Sequence, residues 1–256
     1  MIELSSLERQ QKLTRLLEQM GRLSVSQICD HFDISEATAR RDLETLAEQG
    51  KLQRVHGGAI PVEQAPPELP ILERETEQTD EKTRIGRAVT NLIADNETVF
   101  LGSGTTILEV ARNLRNHRNL TVITNSLPVL NTLAGLEGMT VVSLGGMLRN
   151  SELSFIGHIT EQALSEIRAD KVILGTRGMS LEHGLTNDYL QETLTDRAIL
   201  KIGREVIIAA DHSKVNRVST ALLAPLKSVN TFVTDSKADK KFIQSLKKQG
   251  IKVVAV

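Results

Sequence analysis

A glycine-rich run with hydroxyl side chains is the part of this sequence best suited to bind an anion. It extends from Gly102 to Thr106 (Gly-Ser-Gly-Thr-Thr), after an apolar stretch and before an amphipathic one. Glycines let the backbone approach an anion, hydroxyl groups donate hydrogen bonds to it, and the N-terminus of a following helix favours negative charge. Because the run lacks the Lys of a Walker A loop, it suits a small phosphate monoester better than ATP. Taken alone, the run is equally consistent with an ordinary turn between a strand and a helix.

Four further polar runs, at residues 124–126, 145–149, 175–178 and 211–214, each follow an apolar stretch. Ligands of open α/β sheets bind outside the carboxyl ends of the strands, so several polar strand ends predict one shared site. Arg149, Arg177 and Lys214 would supply positive charge for an anion, although each of them alone also fits a solvated surface. The candidate residues of this anion site are Ser103, Gly104, Thr105, Thr106, Asn125, Ser126, Gly145, Gly146, Arg149, Arg177, Gly178, Asp211, Ser213 and Lys214.

Residues 35–56 carry a second set of side chains, suited to contact DNA. Arg40 and Arg41 are long enough to reach phosphates or the O6/N7 edge of guanine. An Arg pair is also typical of a solvated helix face, but its place near the start of a short capped helix, before a basic hairpin, favours DNA contact. Asp42 is predicted to pair within the domain, because phosphates would repel its carboxylate. The candidate DNA-binding residues are Ser35, Thr38, Arg40, Arg41, Thr45, Lys51, Arg54 and His56.

Three helices and a hairpin must position the candidate DNA-binding residues. Apolar residues at helical spacing predict a first helix, capped by Ser5 or Ser6 and ended by Gly21, with the stripe Leu13, Leu16, Leu17 and Met20. A shorter helix is expected after Ser26, with Ile28, Cys29 and Phe32 inward, and a third from Ser35 to Gly50, with the stripe Ala39, Leu43, Leu46 and Ala47. Gly57-Gly58 suits a tight hairpin. This order predicts a winged helix-turn-helix, in which the second helix of the pair enters the major groove.

Alternating strands and helices must position the anion site. The predicted strands are Thr98–Leu101, Leu120–Thr124, Thr140–Leu144, Lys171–Gly175, Glu205–Ala210, Thr231–Thr234 and Lys252–Val256. The predicted helices are Ile107–Leu114, Leu127–Leu136, Thr160–Arg168, Asp188–Ile202 and Asp239–Gln249. Short apolar strands that alternate with amphipathic helices indicate an α/β fold with a largely parallel sheet.

Charge and proline divide the 256 residues into three segments. The total net charge is −1, but residues 61–82 carry −5 and residues 83–256 carry +5. Four of the six prolines also lie between residues 61 and 70, which favours an extended, semi-rigid linker. We therefore expect a DNA-binding domain at residues 1–60, an acidic linker at 61–82 and an α/β domain at 83–256.

The composition excludes several classes of protein. With five Phe, one Tyr and no Trp, a surface that stacks single-stranded bases is not expected. No apolar run approaches the ~20 residues of a membrane span, no secretory signal is visible, and a lone cysteine suits a reducing compartment, so a cytoplasmic location is expected. Scattered histidines predict no metal site, and no cofactor is predicted.

The chain resembles the DeoR-type bacterial transcriptional regulators. The resemblance includes Arg9, Leu13 and Leu17, then Ser35 and the run Thr38-Ala39-Arg40-Arg41-Asp42-Leu43, and a wing at Arg54–Ala59. In the other half it includes the Gly-Ser-Gly-Thr-Thr run, Thr124-Asn125, Gly145-Gly146, Asp211-x-Ser213-Lys214, and the pair Glu192 and Arg197. The family joins a DNA-binding domain to a domain similar to ribose-5-phosphate isomerase and senses phosphorylated sugars or related metabolites. The resemblance therefore adds Glu192 to the candidate effector-binding residues.

The resemblance implies a repressor of a sugar or polyol catabolic operon whose affinity for double-stranded operator DNA depends on a phosphorylated sugar effector. It also implies a homo-oligomer, a dimer or a tetramer. The alternative is a catalytically active sugar-phosphate isomerase-like enzyme. Isomerases of this fold carry an Asp-Gly-Ala-Asp-Glu motif where this chain has Leu174–Gly178, without a carboxylate. Because general acid–base catalysis needs a titratable group at the substrate, a binding role is favoured, although Asp188, Glu192 and Asp211 leave activity open.

Overall fold

The structure is a computed structural model that describes residues 5–48, 51–55, 57–61 and 69–256. The chain divides into two compact units, Met1–Gln64 and Ala65–Val256. The predicted end of the third helix at Gly50, the wing residue His56 and most of the proline-rich stretch lie outside the described residues. No helix of the described ranges is both long enough and apolar enough to cross a membrane.

The N-terminal unit is a winged helix-turn-helix, as predicted. Its elements are α1 (Ser6–Met20), β1 (Leu23–Ser24), α2 (Val25–Phe32), α3 (Glu36–Glu48), β2 (Leu52–Val55) and β3 (Gly58–Pro61). The strands form an antiparallel sheet of order β1-β3-β2, in which β2 and β3 are the wing hairpin.

Side-chain caps fix where these helices begin. Ser5 and Glu8 form a capping box at α1, and Gly21 ends that helix with φ of 68°, as predicted. The second helix begins at Val25 instead of after Ser26, because Ser24 and Gln27 form another capping box there. The predicted stripes form the core of this unit, except for Met20, which is 60% exposed.

The C-terminal unit is an α/β domain built on a seven-stranded sheet. Its strands are β4 (Thr98–Leu101), β5 (Leu120–Thr124), β6 (Met139–Ser143), β9 (Ala169–Leu174), β12 (Gly203–Ala209), β14 (Thr231–Thr234) and β15 (Lys252–Ala255). They are the seven predicted strands, every neighbouring pair is parallel, and the order is β15-β14-β12-β9-β4-β5-β6.

Two small antiparallel sheets, which periodicity did not predict, extend from this sheet. One is the hairpin of β7 (Met147–Arg149) and β8 (Ser154–Ile156). The other contains β10 (Gly178–Ser180), β11 (Gly184–Asn187) and β13 (Ala221–Ala224). The helices of this unit are α4 (Ile71–Arg74), α5 (Thr79–Thr90), α6 (Thr105–Arg112), α7 (Leu127–Leu133), α8 (His158–Ser165), α9 (Leu190–Leu200) and α10 (Lys240–Lys248). Three short 3₁₀ helices complete the described elements, at Leu114–Asn116, His212–Lys214 and Leu226–Ser228.

Helices cover both faces of the parallel sheet, because alternate residues of its strands point to opposite sides. Phe100 and Phe232 pack with α8, α9 and α10 on one face. Val99 and Leu101 pack with α5, α6 and α7 on the other. The polar ends of the strands are therefore the part of the sheet that remains accessible to a ligand.

The structure differs from the extended linker expected over residues 61–82. From residue 69 onward the chain is folded on the C-terminal unit: Ile71 of α4 is buried, and α5 begins at Thr79. Ile85 and Val89, one helical turn apart, are fully buried under the sheet. Proline and acidic residues suggested a linker, but the burial of these apolar side chains stabilises helices there.

Candidate functional site

The start of α3 presents hydroxyl groups and an arginine. The Ser35 hydroxyl oxygen accepts a hydrogen bond from the Thr38 backbone N–H over 3.2 Å and lies 2.9 Å from the Thr38 hydroxyl oxygen. Arg41 is exposed, on the early turns of the same helix. These groups and the helix N-terminus can donate hydrogen bonds to phosphates or base edges.

Other candidate DNA-binding residues already have acidic neighbours. Arg40 forms an ion pair with Glu36, and both side chains are about 60% exposed. Arg54 lies 3.9 Å from Glu44, also on the surface. Because exposed pairs contribute only about 0–1 kcal/mol, DNA phosphates can replace these acids. Lys51 is exposed and Thr45 half-buried, whereas His56 is outside the described residues.

Asp42 pairs within the N-terminal unit, which confirms its predicted role. Its carboxylate is buried and accepts hydrogen bonds from Arg9 over 2.6 and 3.2 Å and from Gln10 over 3.0 Å. The hydrogen bond to Asp42 raises the pKa of Arg9, since the carboxylate stabilises the charged guanidinium. The pair therefore links α1 to the helix that carries Arg41.

In the C-terminal unit, an open cleft lies at the carboxyl ends of β4, β9 and β12. These are the three adjacent strands in the middle of the sheet. The predicted residues that line this cleft are Ser103, Gly104, Thr105, Thr106, Arg177, Glu192, Asp211, Ser213 and Lys214. The Gly-Ser-Gly-Thr-Thr run leads directly into α6, so backbone N–H groups at the start of that helix also face this end of the sheet.

Two cations of the cleft come from the segment that was predicted as linker. Lys82 of α5 is buried, and its ammonium donates a hydrogen bond to the backbone oxygen of Arg74 over 2.6 Å. Burial lowers the pKa of Lys82, because it penalises the ammonium form. Arg74 forms a buried ion pair with Glu152, which also lines the cleft. The sequence signal that could have shown this is the helical spacing of Ile85 and Val89. A helix that buries both of them extends back to Lys82 in its first turns.

Carboxylates and amides line another part of the cleft. Arg177 donates to Asp188 over 3.0 Å, and Asn187 donates to Asp196 over 2.8 Å. Glu192 pairs with Arg149 and accepts a hydrogen bond from the Ser154 hydroxyl over 3.2 Å. The remaining polar residues of the lining were not among the predicted effector-binding residues: Arg74, Glu77, Gln78, Lys82, Glu152, Thr176, Asn187, Asp188 and Asp196. Asp188 was named only for the alternative of an active enzyme.

Six predicted residues do not line this cleft: Asn125, Ser126, Gly145, Gly146, Arg149 and Gly178. Four of them follow β5 and β6, which lie toward one edge of the sheet. Their polar groups hold other elements. Asn125 and Phe155 of β8 exchange hydrogen bonds of 2.7 and 3.0 Å, and the oxygen of Gly145 accepts from Thr160 of α8 over 2.8 Å.

The positions of Arg149 and Gly178 explain why these two residues do not line the cleft. Arg149 lies behind Glu192, with its guanidinium carbon 4.8 Å from the centre of the Tyr189 ring. Gly178 begins β10, where a Cβ would lie 2.6 Å from the backbone oxygen of Arg217. Arg149 therefore contacts a residue of the cleft lining, Glu192, and Gly178 allows two backbone segments to approach.

Comparison with known proteins gives matches over most of the chain. Residues 9–65 match the DeoR-like helix-turn-helix domain, and residues 77–236 match the DeoR C terminal sensor domain. The transcriptional repressor AccR of Agrobacterium fabrum is 38% identical over 234 residues, which cover 91% of this chain and 90% of that protein. The glycerol-3-phosphate regulon repressor of Escherichia coli is 36% identical over 229 residues, 90% of each chain. The regulator IolR of Bacillus subtilis is 30% identical, over 93% of this chain and 94% of its own.

Among solved structures, ribose 5-phosphate isomerase A of Methanocaldococcus jannaschii is similar over 54% of this chain and 55% of its own, with 17% identity and a TM-score of 0.40. A winged helix-turn-helix unit followed by a sensor unit defines a two-domain transcriptional regulator. The chain belongs to the DeoR family of transcriptional repressors and is a regulator rather than an enzyme.

Proposed function

We propose that this repressor controls a sugar or polyol catabolic operon and leaves its operator when a phosphorylated sugar or related metabolite binds the cleft. The proposal rests on one observation: the Gly-Ser-Gly-Thr-Thr run, Lys82 and Lys214 all line the same cleft at the centre of the sheet. Hydroxyl groups, backbone N–H groups and two ammonium groups are the donors that a phosphate monoester needs.

The other part of the cleft suits the hydroxyl groups of a sugar or polyol. Asp188, Glu192 and Asp196 offer carboxylate oxygens that accept hydrogen bonds, and Asn187 offers an amide. Their negative charge would repel a second phosphate group. This distribution favours an effector with one phosphate and an uncharged polyhydroxyl body.

The names of relatives agree with such an effector. The Escherichia coli relative is named for a glycerol-3-phosphate regulon, and another relative, from Escherichia coli O157:H7, is named a putative aga operon transcriptional repressor. These names support a regulon of sugar or polyol metabolism without selecting one compound for this chain.

The proposed route from effector to DNA begins at the segment that follows the N-terminal unit. Arg74 and Lys82 line the cleft, and the Ile71 backbone N–H donates to the oxygen of Ser151, next to Glu152, over 2.8 Å. An anion in the cleft would therefore contact the segment that leads to the DNA-binding unit. For operator affinity to change, the effector must bind one arrangement of the protein better than the other.

Operator recognition is assigned to α3 in the major groove and to the wing beside it. Palindromic operators require paired DNA-binding units, so the proposed active form is a homo-oligomer, a dimer or a tetramer. Because operator DNA of a bacterium lies in the cytoplasm, the proposed site of action is cytoplasmic.

A thermal-shift screen tests the proposed effector class. The panel contains glycerol 3-phosphate, ribose 5-phosphate, glucose 6-phosphate, inorganic phosphate and the corresponding unphosphorylated compounds. A ligand at about 100 times its Kd stabilises the folded state by about 2.7 kcal/mol. We expect at least one phosphorylated compound, and none of the unphosphorylated ones, to raise the melting temperature and to dissociate the protein from DNA taken from upstream of its operon.

The variant Lys214→Ala should weaken that response and leave operator affinity unchanged. Lys227→Ala is the matched control, since Lys227 is an exposed lysine on another 3₁₀ turn of the same unit. A panel in which no phosphorylated compound stabilises the protein would contradict the proposal, and so would an equal effect of the two lysine variants.

A further inference from the structure

Asp235 is a buried carboxylate beside the cleft that does not itself line it. It follows the last residue of β14 and is completely inaccessible to solvent. Its Oδ2 accepts the backbone N–H of His212 over 2.7 Å, and its Oδ1 accepts the backbone N–H of Lys237 over 2.9 Å. The Nδ1 atom of the His212 ring lies 3.1 Å from both carboxylate oxygens. One side chain therefore joins two segments, the turn after β12 that carries His212 and the loop after β14 that carries both Asp235 and Lys237.

The first of these segments carries two residues of the cleft. His212 begins the 3₁₀ turn His212–Lys214, whose Ser213 and Lys214 line the cleft. Asp211 caps the same turn, because its Oδ1 accepts the backbone N–H of Ser213 over 2.9 Å. His212 is held at its backbone and at its ring, so the backbone position of the turn that carries Ser213 and Lys214 is held as well.

The second segment contacts α5, the helix that carries the other ammonium group of the cleft. The Lys237 ammonium lies 2.6 Å from Oε1 of Glu81, a buried carboxylate on α5. Glu81 directly precedes Lys82. The hydrogen bond to Lys237 lowers the pKa of Glu81, and the same contact raises the pKa of Lys237, so both groups are charged at neutral pH.

We propose that Asp235 is a positioning residue of the effector site, which fixes the distance between Lys82 on α5 and Lys214 on the 3₁₀ turn so that both meet the same phosphate. This inference rests on the proposed function and deepens it. Asp235 needs no contact with the effector for this role. It acts through His212 toward one lysine and through Lys237 and Glu81 toward the other.

The charge of Asp235 is essential to this arrangement. Burial by itself would raise the pKa of Asp235, but the N–H groups of His212 and Lys237 and the His212 ring outweigh burial and hold that pKa below its ordinary value. An asparagine would offer one acceptor oxygen and one NH₂ group. That NH₂ group would face an N–H donor, so at least one of the two segments would lose its anchor.

Titration of the full-length protein with inorganic phosphate, followed by calorimetry, tests the proposal. We expect Asp235→Asn to weaken phosphate binding by about tenfold, the equivalent of one lost hydrogen bond to a charged group, with operator affinity in the absence of phosphate unchanged. Asp239→Asn is the matched control. Asp239 also accepts a backbone N–H, that of Phe242 over 2.6 Å, but it only caps α10. Because asparagine caps a helix about as well as aspartate, this control should change neither phosphate affinity nor the melting temperature to a large extent.

A second pair of variants separates positioning from folding. His212→Asn keeps a side-chain N–H donor at the place of Nδ1, whereas His212→Leu removes it. We expect phosphate affinity close to that of the unmodified protein for His212→Asn and a several-fold loss for His212→Leu. If the unmodified protein binds no phosphate, the proposed function fails and this inference fails with it. If it binds phosphate, equal affinities of the two His212 variants, or of Asp235→Asn and the unmodified protein, would overturn this inference alone.

Discussion

The guanidinium of Arg9 donates two hydrogen bonds to the carboxylate of Asp42, across 33 residues of sequence. The two side chains are 14% and 4% exposed, so the pair is largely removed from water. It joins α1 to α3 directly beside Arg41. The orientation of the helix assigned to the major groove therefore depends on a contact between two helices as well as on the apolar core.

Asp42→Ala should loosen this unit. A buried pair that loses one partner costs about 3–5 kcal/mol, because the other charge remains buried without compensation. We expect faster amide hydrogen exchange in peptides from α1 and α3, measured by mass spectrometry, and weaker operator binding. Glu44→Ala, which removes the exposed neighbour of Arg54, is the control. It should change the free energy of the opening that permits amide exchange by less than about 1 kcal/mol. Unchanged exchange in Asp42→Ala would show that the pair does not hold the helices.

Arg41→Ala should reduce operator affinity and leave the effector response intact. An arginine that contacts a guanine edge or a phosphate contributes about 1–3 kcal/mol, so the expected loss is about tenfold at fixed salt. Gel-shift titrations at several salt concentrations measure it. Arg204→Ala removes the same charge from a side chain of the C-terminal unit that is 86% exposed and should have no effect. Equal operator affinity of the two variants would refute the assignment of Arg41.

Glu152→Gln should have opposite effects on stability and on anion binding. The variant breaks the buried pair with Arg74, which should lower the free energy of unfolding by about 3 kcal/mol in a denaturant titration. It also removes a negative charge from the cleft, so affinity for inorganic phosphate should rise. The control is Glu75→Gln, since Glu75 lies 3.9 Å from Arg112 in a surface pair. A loss of both stability and phosphate affinity would mean that Glu152 is needed to shape the cleft.

Lys82 should take up protons when the cleft binds phosphate. Burial, together with the charges of Lys214 and Arg74, lowers the pKa of Lys82 in the free protein, and Asp211 only partly opposes this. A bound phosphate dianion would favour the ammonium form and raise that pKa. Proton binding is then linked to phosphate binding, and affinity should fall as pH rises through the pKa of the free protein. The sign is opposite for the stability of the free protein: a lysine with a lowered pKa destabilises the fold while it is protonated, so stability rises as pH rises through that pKa.

Calorimetry at alkaline pH, in two buffers of different ionisation enthalpy, measures this uptake directly. Phosphate is already a dianion there, so it does not contribute protons of its own. The uptake should disappear in Lys82→Met. Uptake of equal size in that variant would assign the proton to another group.

The sequence by itself determined the elements of this protein and the chemistry of two surfaces. Apolar spacing, serine caps and the Gly-Gly turn are local signals, and they predicted the winged helix-turn-helix and all seven strands of the parallel sheet. The polar runs after these strands could also be recognised from the sequence, because each of them is a local pattern. The predicted role of Asp42 followed from charge alone, since a carboxylate beside phosphates is repelled.

Only the tertiary structure decided which polar residues share a cleft. Strand order is set by crossover connections between distant segments, and no local pattern shows that β12, β9 and β4 are adjacent while β5 and β6 lie toward an edge. Asn125 and Gly145 therefore hold neighbouring elements, whereas Lys82 reaches the cleft from a segment whose composition suggested a linker. Asp235 is a further case. Its partner Lys237 is only two residues away, but His212 is 23 residues away and meets it because β12 and β14 are paired in the folded sheet.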